Sequence, residues 1–193
     1  ISNNQVTGSC GGILTLESNL NMTQSQINNN SADYFGGGLC VWNQTDNFED
    51  INNIILDEVE ITNNISGDDA GGIFLQEMTN LSSNYMFTNI NINNNTSGDK
   101  GGGIHSQRVN LNMNNFTISG NSSNSDYGAY FYYGATTLSN GIISNNQGGG
   151  AHFYHNDSCI LNNLTIDQNE SNYGGGGALI TSTEGTLDDV IIS

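Results

Sequence analysis

The stretch SGDKGGGIHSQ, Ser97 to Gln107, sets three glycines in a row before an Ile. Such a run either cradles a phosphate or makes a tight corner between strands. Recurrence separates the two readings. The same pattern returns as CGGIL, GGGLC, AGGIF, GGGIH, YGAYF, GGGAH and GGGAL. The residue after the last glycine is Ile13, Leu39, Ile73, Ile104, Ala129, Ala151 and Ala178, at intervals of 22 to 34 residues. A phosphate loop occurs once, whereas a sevenfold recurrence is architecture.

A second motif, Ile-x-x-Asn, runs in phase with the first. Its Ile residues are Ile1, Ile27, Ile61, Ile92, Ile118, Ile143 and Ile166. Its closing residues are Asn4, Asn30, Asn64, Asn95, Asn121, Asn146 and Asn169. Five positions before the Ile of each later repeat stands a large apolar residue: Met22, Leu56, Phe87, Met113, Leu138, Leu161 and Leu187. Seven positions before lie Leu20, Ile54, Tyr85, Leu111, Thr136, Cys159 and Gly185, mostly apolar. Apolar residues two apart mark a strand with one buried face. Each repeat therefore holds three short strands and no helix. A unit of this size cannot bury its apolar face alone, but stacked units can. The sequence predicts an all-β chain, a right-handed single-stranded parallel β-helix of about seven coils of three short strands. It spans 1–193 as one unit and reads as a section of a longer repeat array, since Ile1 and Ile192 fall at one phase of the repeat.

Three details fit that prediction. The chain has no proline, which would remove a donor from the coil-to-coil ladder. After the glycines, positions one and three point inward; where the first shrinks to Ala129, Ala151 or Ala178, the third is Phe131, Phe153 or Ile180, keeping core volume nearly constant. The closing asparagines are expected to form a structural ladder of Asn30, Asn64, Asn95, Asn121, Asn146 and Asn169. Asn tolerates left-handed corners, and its amide donates and accepts along a stack. A second polar column contains Asn89, Asn115, Asn140 and Asn163.

The paired motifs, Gly-Gly followed by Ala, Ile or Leu and then Ile-x-x-Asn, resemble the repeats of the polymorphic outer-membrane proteins of chlamydiae, with relatives in protist surface proteins. The family pattern has Phe where this chain has Ile in every copy. The resemblance implies a right-handed parallel β-helix at a cell surface with an adhesive or structural role.

Composition narrows the function. The formal net charge is −17, and Lys100 and Arg108 are the only basic side chains, which argues against nucleic acid and anionic membrane as partners. No apolar run approaches the ~20 residues of a membrane span. Asn-x-Ser/Thr sequons number 12, whereas chance pairing of 34 Asn with 35 Ser and Thr over 193 positions gives about six. The excess points to a secreted, N-glycosylated chain at the cell surface; shared turn chemistry of Asn, Ser and Thr would produce the same pattern. Two insertions on one edge, around Asn43 and Asn80, mark a variable face. The expected glycan acceptors are Asn43 and Asn80, then Asn21 and Asn156.

The site candidates are few. Asp33, Asp68 and Asp99 align in neighbouring turns, where calcium would bridge stacked carboxylates; equally, each carboxylate caps the backbone of its own turn. The outward position-two column offers a contact stripe of Phe74, His105, Tyr130 and His152, either open to a partner molecule or covered by an adjacent loop. Cys10 and Cys40 lie in adjacent coils at different positions, and Cys159 in an inward column. Lys100 and Arg108 share one coil, and the adjacent carboxylate pairs Asp68–Asp69 and Asp188–Asp189 point opposite ways on a strand with no His motif beside them, so no catalytic residue is assigned. The expectation is an extracellular structural or adhesive repeat protein that associates with itself or with further repeats of its own chain. The alternative is a polysaccharide-binding or polysaccharide-degrading β-helix.

Overall fold

The computed structural model describes residues 1–44, 52–78, 83–172 and 174–193. Its nineteen strands, numbered in chain order, form three parallel sheets that wind as a β-helix solenoid. The glycine strands are β2 (Ile13–Leu16), β5 (Leu39–Asn43), β8 (Ile73–Glu77), β11 (Ile104–Gln107), β14 (Ala129–Tyr132), β16 (Ala151–Tyr154) and β18 (Ala178–Thr181). They stack in that order, with Ile73, Ile104, Ala129, Ala151 and Ala178 in register. The second sheet contains β3 (Leu20–Asn28), β6 (Asn53–Thr62), β9 (Asn84–Asn93), β12 (Leu111–Ser119), β15 (Ala135–Ser144), β17 (Ser158–Asp167) and β19 (Gly185–Ile192). The third is narrow: β1 (Gln5–Val6), β4 (Ser31–Ala32), β7 (Ile65–Ser66), β10 (Thr96–Ser97) and β13 (Ser122–Ser123).

The sheets divide each coil differently from the sequence expectation. The count-back residues and the Ile of Ile-x-x-Asn belong to one long strand, bent in its middle. The bend sits at Gln24, Glu58, Asn89, Asn115, Asn140, Asn163 and Asp189, all at φ between 47° and 55°. This is the second polar column, and its amides run from coil to coil: Asn163 Nδ2 donates to Asn140 Oδ1 at 2.7 Å, and Asn89 Nδ2 to Asp57 Oδ1 at 2.9 Å. The third strand is instead the two-residue segment after the Asn ladder, too short to carry a periodicity.

The core fills the space between the two larger sheets. Ile54, Leu56, Ile61, Ile73, Phe87, Ile92, Ile104, Phe131 and Phe153 are wholly buried. Phe131 stacks on Phe153 at 5.0 Å, 10° from parallel, above the small Ala129 and Ala151, as the volume exchange requires. Cys159 is buried here, and burial pushes its thiol up to about 12.

The Asn column closes one corner as a continuous ladder. Asn64 shows its logic. Its Oδ1 accepts from Asn30 N at 2.9 Å and Asn30 Nδ2 at 3.0 Å. Its Nδ2 donates to Asn95 Oδ1 and to Ile27 O, both at 3.0 Å. Both lone pairs and both hydrogens of the amide are used. Asn95 and Asn121 repeat the pattern. The residue before each ladder Asn is left-handed: Asn3, Asn29, Asn63, Asn94, Gly120, Asn145 and Gln168. Gly replaces an amide residue only where the backbone needs φ > 0.

The glycine runs combine two requirements. Gly36 and Gly101 turn the chain at φ near 60°. The glycines that follow are there for space. A Cβ at Gly37 would lie 2.5 Å from Ile65 O, and one at Gly38 2.7 Å from Gly72 O and 3.0 Å from Asn64 Nδ2. The narrow sheet thus presses directly on the glycine backbone, with no room for a side chain between.

Candidate functional site

The position-two column does not form an open stripe. Phe74, His105, Tyr130 and His152 are 3%, 4%, 5% and 8% exposed. Turns before the glycine runs fold over the column, and four of them fasten to the following coil. Cys10 of the first turn forms a disulfide with Cys40 of the next coil. Phe35 of the second turn stacks on Phe74 at 5.0 Å. Asp69 of the third turn lies 3.2 Å from His105 Nδ1. Asp126 of the fifth turn reaches His152 Nδ1 with both carboxylate oxygens, at 3.1 and 3.2 Å. A disulfide, a ring stack and two acid–imidazole pairs therefore do one mechanical job at equivalent places. The sequence signal was available: each turn-side partner stands one or two residues before its glycines. Beneath this cover the rings touch in series, Phe74 to His105 at 5.4 Å, His105 to Tyr130 at 5.0 Å and Tyr130 to His152 at 5.3 Å.

His152 also meets Thr181 Oγ1 through Nε2 at 3.3 Å, so carboxylate, imidazole and hydroxyl lie in series. For the homologous pair, Asp69 and His105, the position that corresponds to Thr181 in the next coil is held by Tyr132. The feature that repeats is the acid–imidazole strut.

The aligned carboxylates are Asp68, Asp69 and Asp99, whose ligand atoms lie within 4.8 Å of one another. Asp33 is not among them. Ala32 pairs with Ser66, which puts Asp33 one step out of register, level with Gly67. The cluster already holds a cation. Lys100 Nζ is 2.8 Å from Asp99 Oδ2, and Lys100 N donates to Asp69 Oδ1 at 3.0 Å. Burial pushes the Asp69 carboxyl up, but the hydrogen bond and charge of His105, with Lys100, outweigh it and hold Asp69 below the usual carboxylate range. Asp68 is raised, by burial first and then by repulsion from Asp69 and Asp99. Three carboxylates thus share one ammonium and one imidazole, and the Asp69 and Asp99 oxygens these engage are not free to ligate calcium.

The expected glycan acceptors fall in unlike places. Asn21 is exposed on β3. Asn43 is 1% exposed, and its Nδ2 faces Ser83 Oγ at 3.4 Å. Asn156 is 4% exposed, its Nδ2 spent on Tyr133 O and Gly134 O. Neither buried amide nitrogen is open to a glycan in the folded chain. Asn80 lies outside the described residues. The sequons at Asn64, Asn95 and Asn121 belong to the buried ladder.

One surface feature escaped the sequence reading. At the C-terminal ends of β14 and β16, Tyr132 and Tyr154 stack at 5.5 Å, 12° from parallel. Beside them Tyr133 and His155 stack at 5.6 Å, 20° from parallel. The two columns touch, Tyr132 to Tyr133 at 4.4 Å and Tyr154 to His155 at 4.3 Å. Arg108, one coil below, sets its guanidinium carbon 5.5 Å from the Tyr133 ring centroid. All five side chains are half-exposed. The signal was the doublet Tyr132–Tyr133 followed one repeat later by Tyr154–His155.

Comparison with protein-family models, with curated proteins and with solved structures finds no match. The resemblance to the chlamydial repeats rests on the motifs themselves.

Proposed function

We propose that this chain is a non-catalytic structural or adhesive β-helix of the extracellular face of a cell, N-glycosylated, building a surface coat or filament. The observation that carries the proposal is the Cys10–Cys40 disulfide, which ties one coil to the next and belongs to an oxidising compartment. Stacking in register through all seven coils of the two larger sheets supports a load-bearing or spacing role. Catalysis by the one lysine is disfavoured. Burial pulls the Lys100 ammonium down, yet Asp99, Asp69 and Asp126 outweigh it and hold its pKa above the usual lysine value, opposite to what a catalytic base needs.

The test is peptide mapping by mass spectrometry of the protein from its native source, with and without reduction, beside antibody labelling of intact and permeabilised cells. The proposal expects a Cys10–Cys40 cross-linked peptide, glycan on Asn21 and labelling of intact cells. Free thiols at both positions with labelling only after permeabilisation would overturn it. The aromatic group on β14 and β16 favours the second reading, saccharide binding without degradation.

A further inference from the structure

We infer that Tyr132, Tyr133, Tyr154, His155 and Arg108 form a binding site for a short acidic oligosaccharide, one carrying a uronic-acid carboxylate. This names a ligand class for the adhesive reading and rests on it only for its biological setting.

Among the described residues most other aromatic rings are enclosed, with Tyr34 a lone exposed exception. Phe74, Tyr130 and His152 lie under the pre-glycine turns, and Phe131 and Phe153 lie in the core. The β14–β16 group is the contrasting case, four rings in two tiers, all half-exposed. Its stack is bounded. In the column of Tyr132 and Tyr154 the coil below supplies Gln107 and the coil above Thr181. In the neighbouring left-handed column the order is Arg108, Tyr133, His155 and Ser182, at φ from 52° to 58°. Past Tyr154 and His155 the next tier is therefore a threonine and a serine, neither of which extends a ring over the stack.

The charge selects the ligand. The protein carries −17, and of its two basic side chains Lys100 is committed to Asp99. Arg108 makes no ion pair among the described residues, and it sits against a ring rather than an acid. A guanidinium on an aromatic face keeps its fork free for a carboxylate. Tyr rings offer apolar faces and hydroxyl tips together, which suits a sugar with one C–H face and many hydroxyls. The geometry also sets a length. Arg108 lies two coils below His155, about 10 Å at ~4.8 Å per coil. A chain of two or three sugars running along the helix axis spans that distance, with the carboxylate at the Arg108 end. The strongly negative remainder of the surface repels dense polyanions and makes the interaction salt-sensitive.

Saturation-transfer NMR on the full chain at low salt tests this. The probes are a glucuronic-acid-containing tetrasaccharide, its carboxyl-reduced counterpart and a glutamate-rich peptide of equal charge. The inference expects transfer from aromatic protons to the acidic sugar and affinity about 5- to 10-fold weaker for the reduced sugar. Arg108→Gln should produce the same loss, Tyr154→Ala should abolish transfer, and Tyr34→Ala, at an exposed tyrosine elsewhere, should change nothing. Arg108→Gln alters only a half-exposed side chain, so it keeps the test valid if Tyr154→Ala misfolds by circular dichroism. Absence of transfer at millimolar acidic sugar, equal binding of both sugars, or peptide binding as tight as sugar binding would each overturn the assignment. Failure here leaves the disulfide and surface-labelling results standing; an intracellular, reduced protein that still bound the sugar would sink the surface reading and keep the site.

Discussion

Replacing Asn64 by Ala attacks the ladder where it is most completely closed. Asn64 is wholly buried. The substitution breaks four hydrogen bonds: two from Asn30 into Oδ1, and two from Nδ2 to Ile27 O and Asn95 Oδ1. Each is worth about 1 kcal/mol net, and orphaned buried partners add to that. Asn30 Nδ2 keeps a contact to Ile1 O at 3.2 Å, and Asn95 Oδ1 keeps the Asn64 backbone donor, which offsets part of the loss. The expected destabilisation is about 3–4 kcal/mol, a large share of the 5–15 kcal/mol typical of a folded domain. Guanidinium unfolding followed by circular dichroism and by Trp42 fluorescence reads it, as a fall in midpoint at constant slope. Asn4→Ala is the control: Asn4 is exposed and gives Asn30 Oδ1 one side-chain bond, so about 1 kcal/mol is expected. Equal effects at the two positions, or a loss at Asn64 below about 1 kcal/mol, would refute the claim that the amide ladder holds the corner.

Gly72→Ala should unfold the chain or cost several kcal/mol, because its Cβ would run into Gly103 O and sit 3.1 Å from Asn95 Nδ2; Gly8→Ala, whose Cβ meets only Val6 Cγ2 at 3.9 Å, should leave the thermal midpoint within a degree or two, roughly a surface-substitution effect. Cys10→Ser should cost about 2–4 kcal/mol for a closed loop of this length, with Trp42 emission shifting to the red as the cover over Cys40 and Phe74 loosens. Asp69→Asn tests the acid side of the strut. A carboxyl held below its ordinary value contributes stability above about pH 4, lost as pH falls through the lowered value, so the wild type should lose more stability than the variant between about pH 5 and pH 2. EDTA should leave the thermal midpoint unchanged, since Asp99 already pairs with Lys100 and Asp69 is already engaged by His105 and the Lys100 amide.

The repeat was legible because stacking in register makes each column a separate statistic. Ile27, Ile61, Ile92 and Ile118 answer one packing demand, and Asn30, Asn64, Asn95 and Asn121 one hydrogen-bonding demand, so each is visible by eye. The narrow sheet was not legible: its strands are two residues long, and its partners are glycines with no side chain to betray the contact. Asp33 was misaligned because Ser-x-Asp recurs in its turn one residue out of step with the pairing of Ala32 and Ser66. The cover over the outward column was left open between two alternatives for a different reason. A ring on the outer face of a sheet looks the same in sequence whether solvent or a turn lies over it, and three different chemistries fasten these turns. The β14–β16 aromatic group went unread because Tyr133 and His155 lie beyond the strand, at left-handed positions where tyrosine and histidine are not expected.

The same Asn-rich corner that locks the coils also writes acceptor sequons at Asn64, Asn95 and Asn121. Oligosaccharide transfer acts on chains still unfolded, so in a glycosylating compartment a race is built into this sequence. A sugar attached to Asn64 Nδ2 before its coil closes would occupy the nitrogen that Ile27 and Asn95 require. Rapid winding of each turn onto its predecessor would then protect the protein from a modification that its own stacking rule invites.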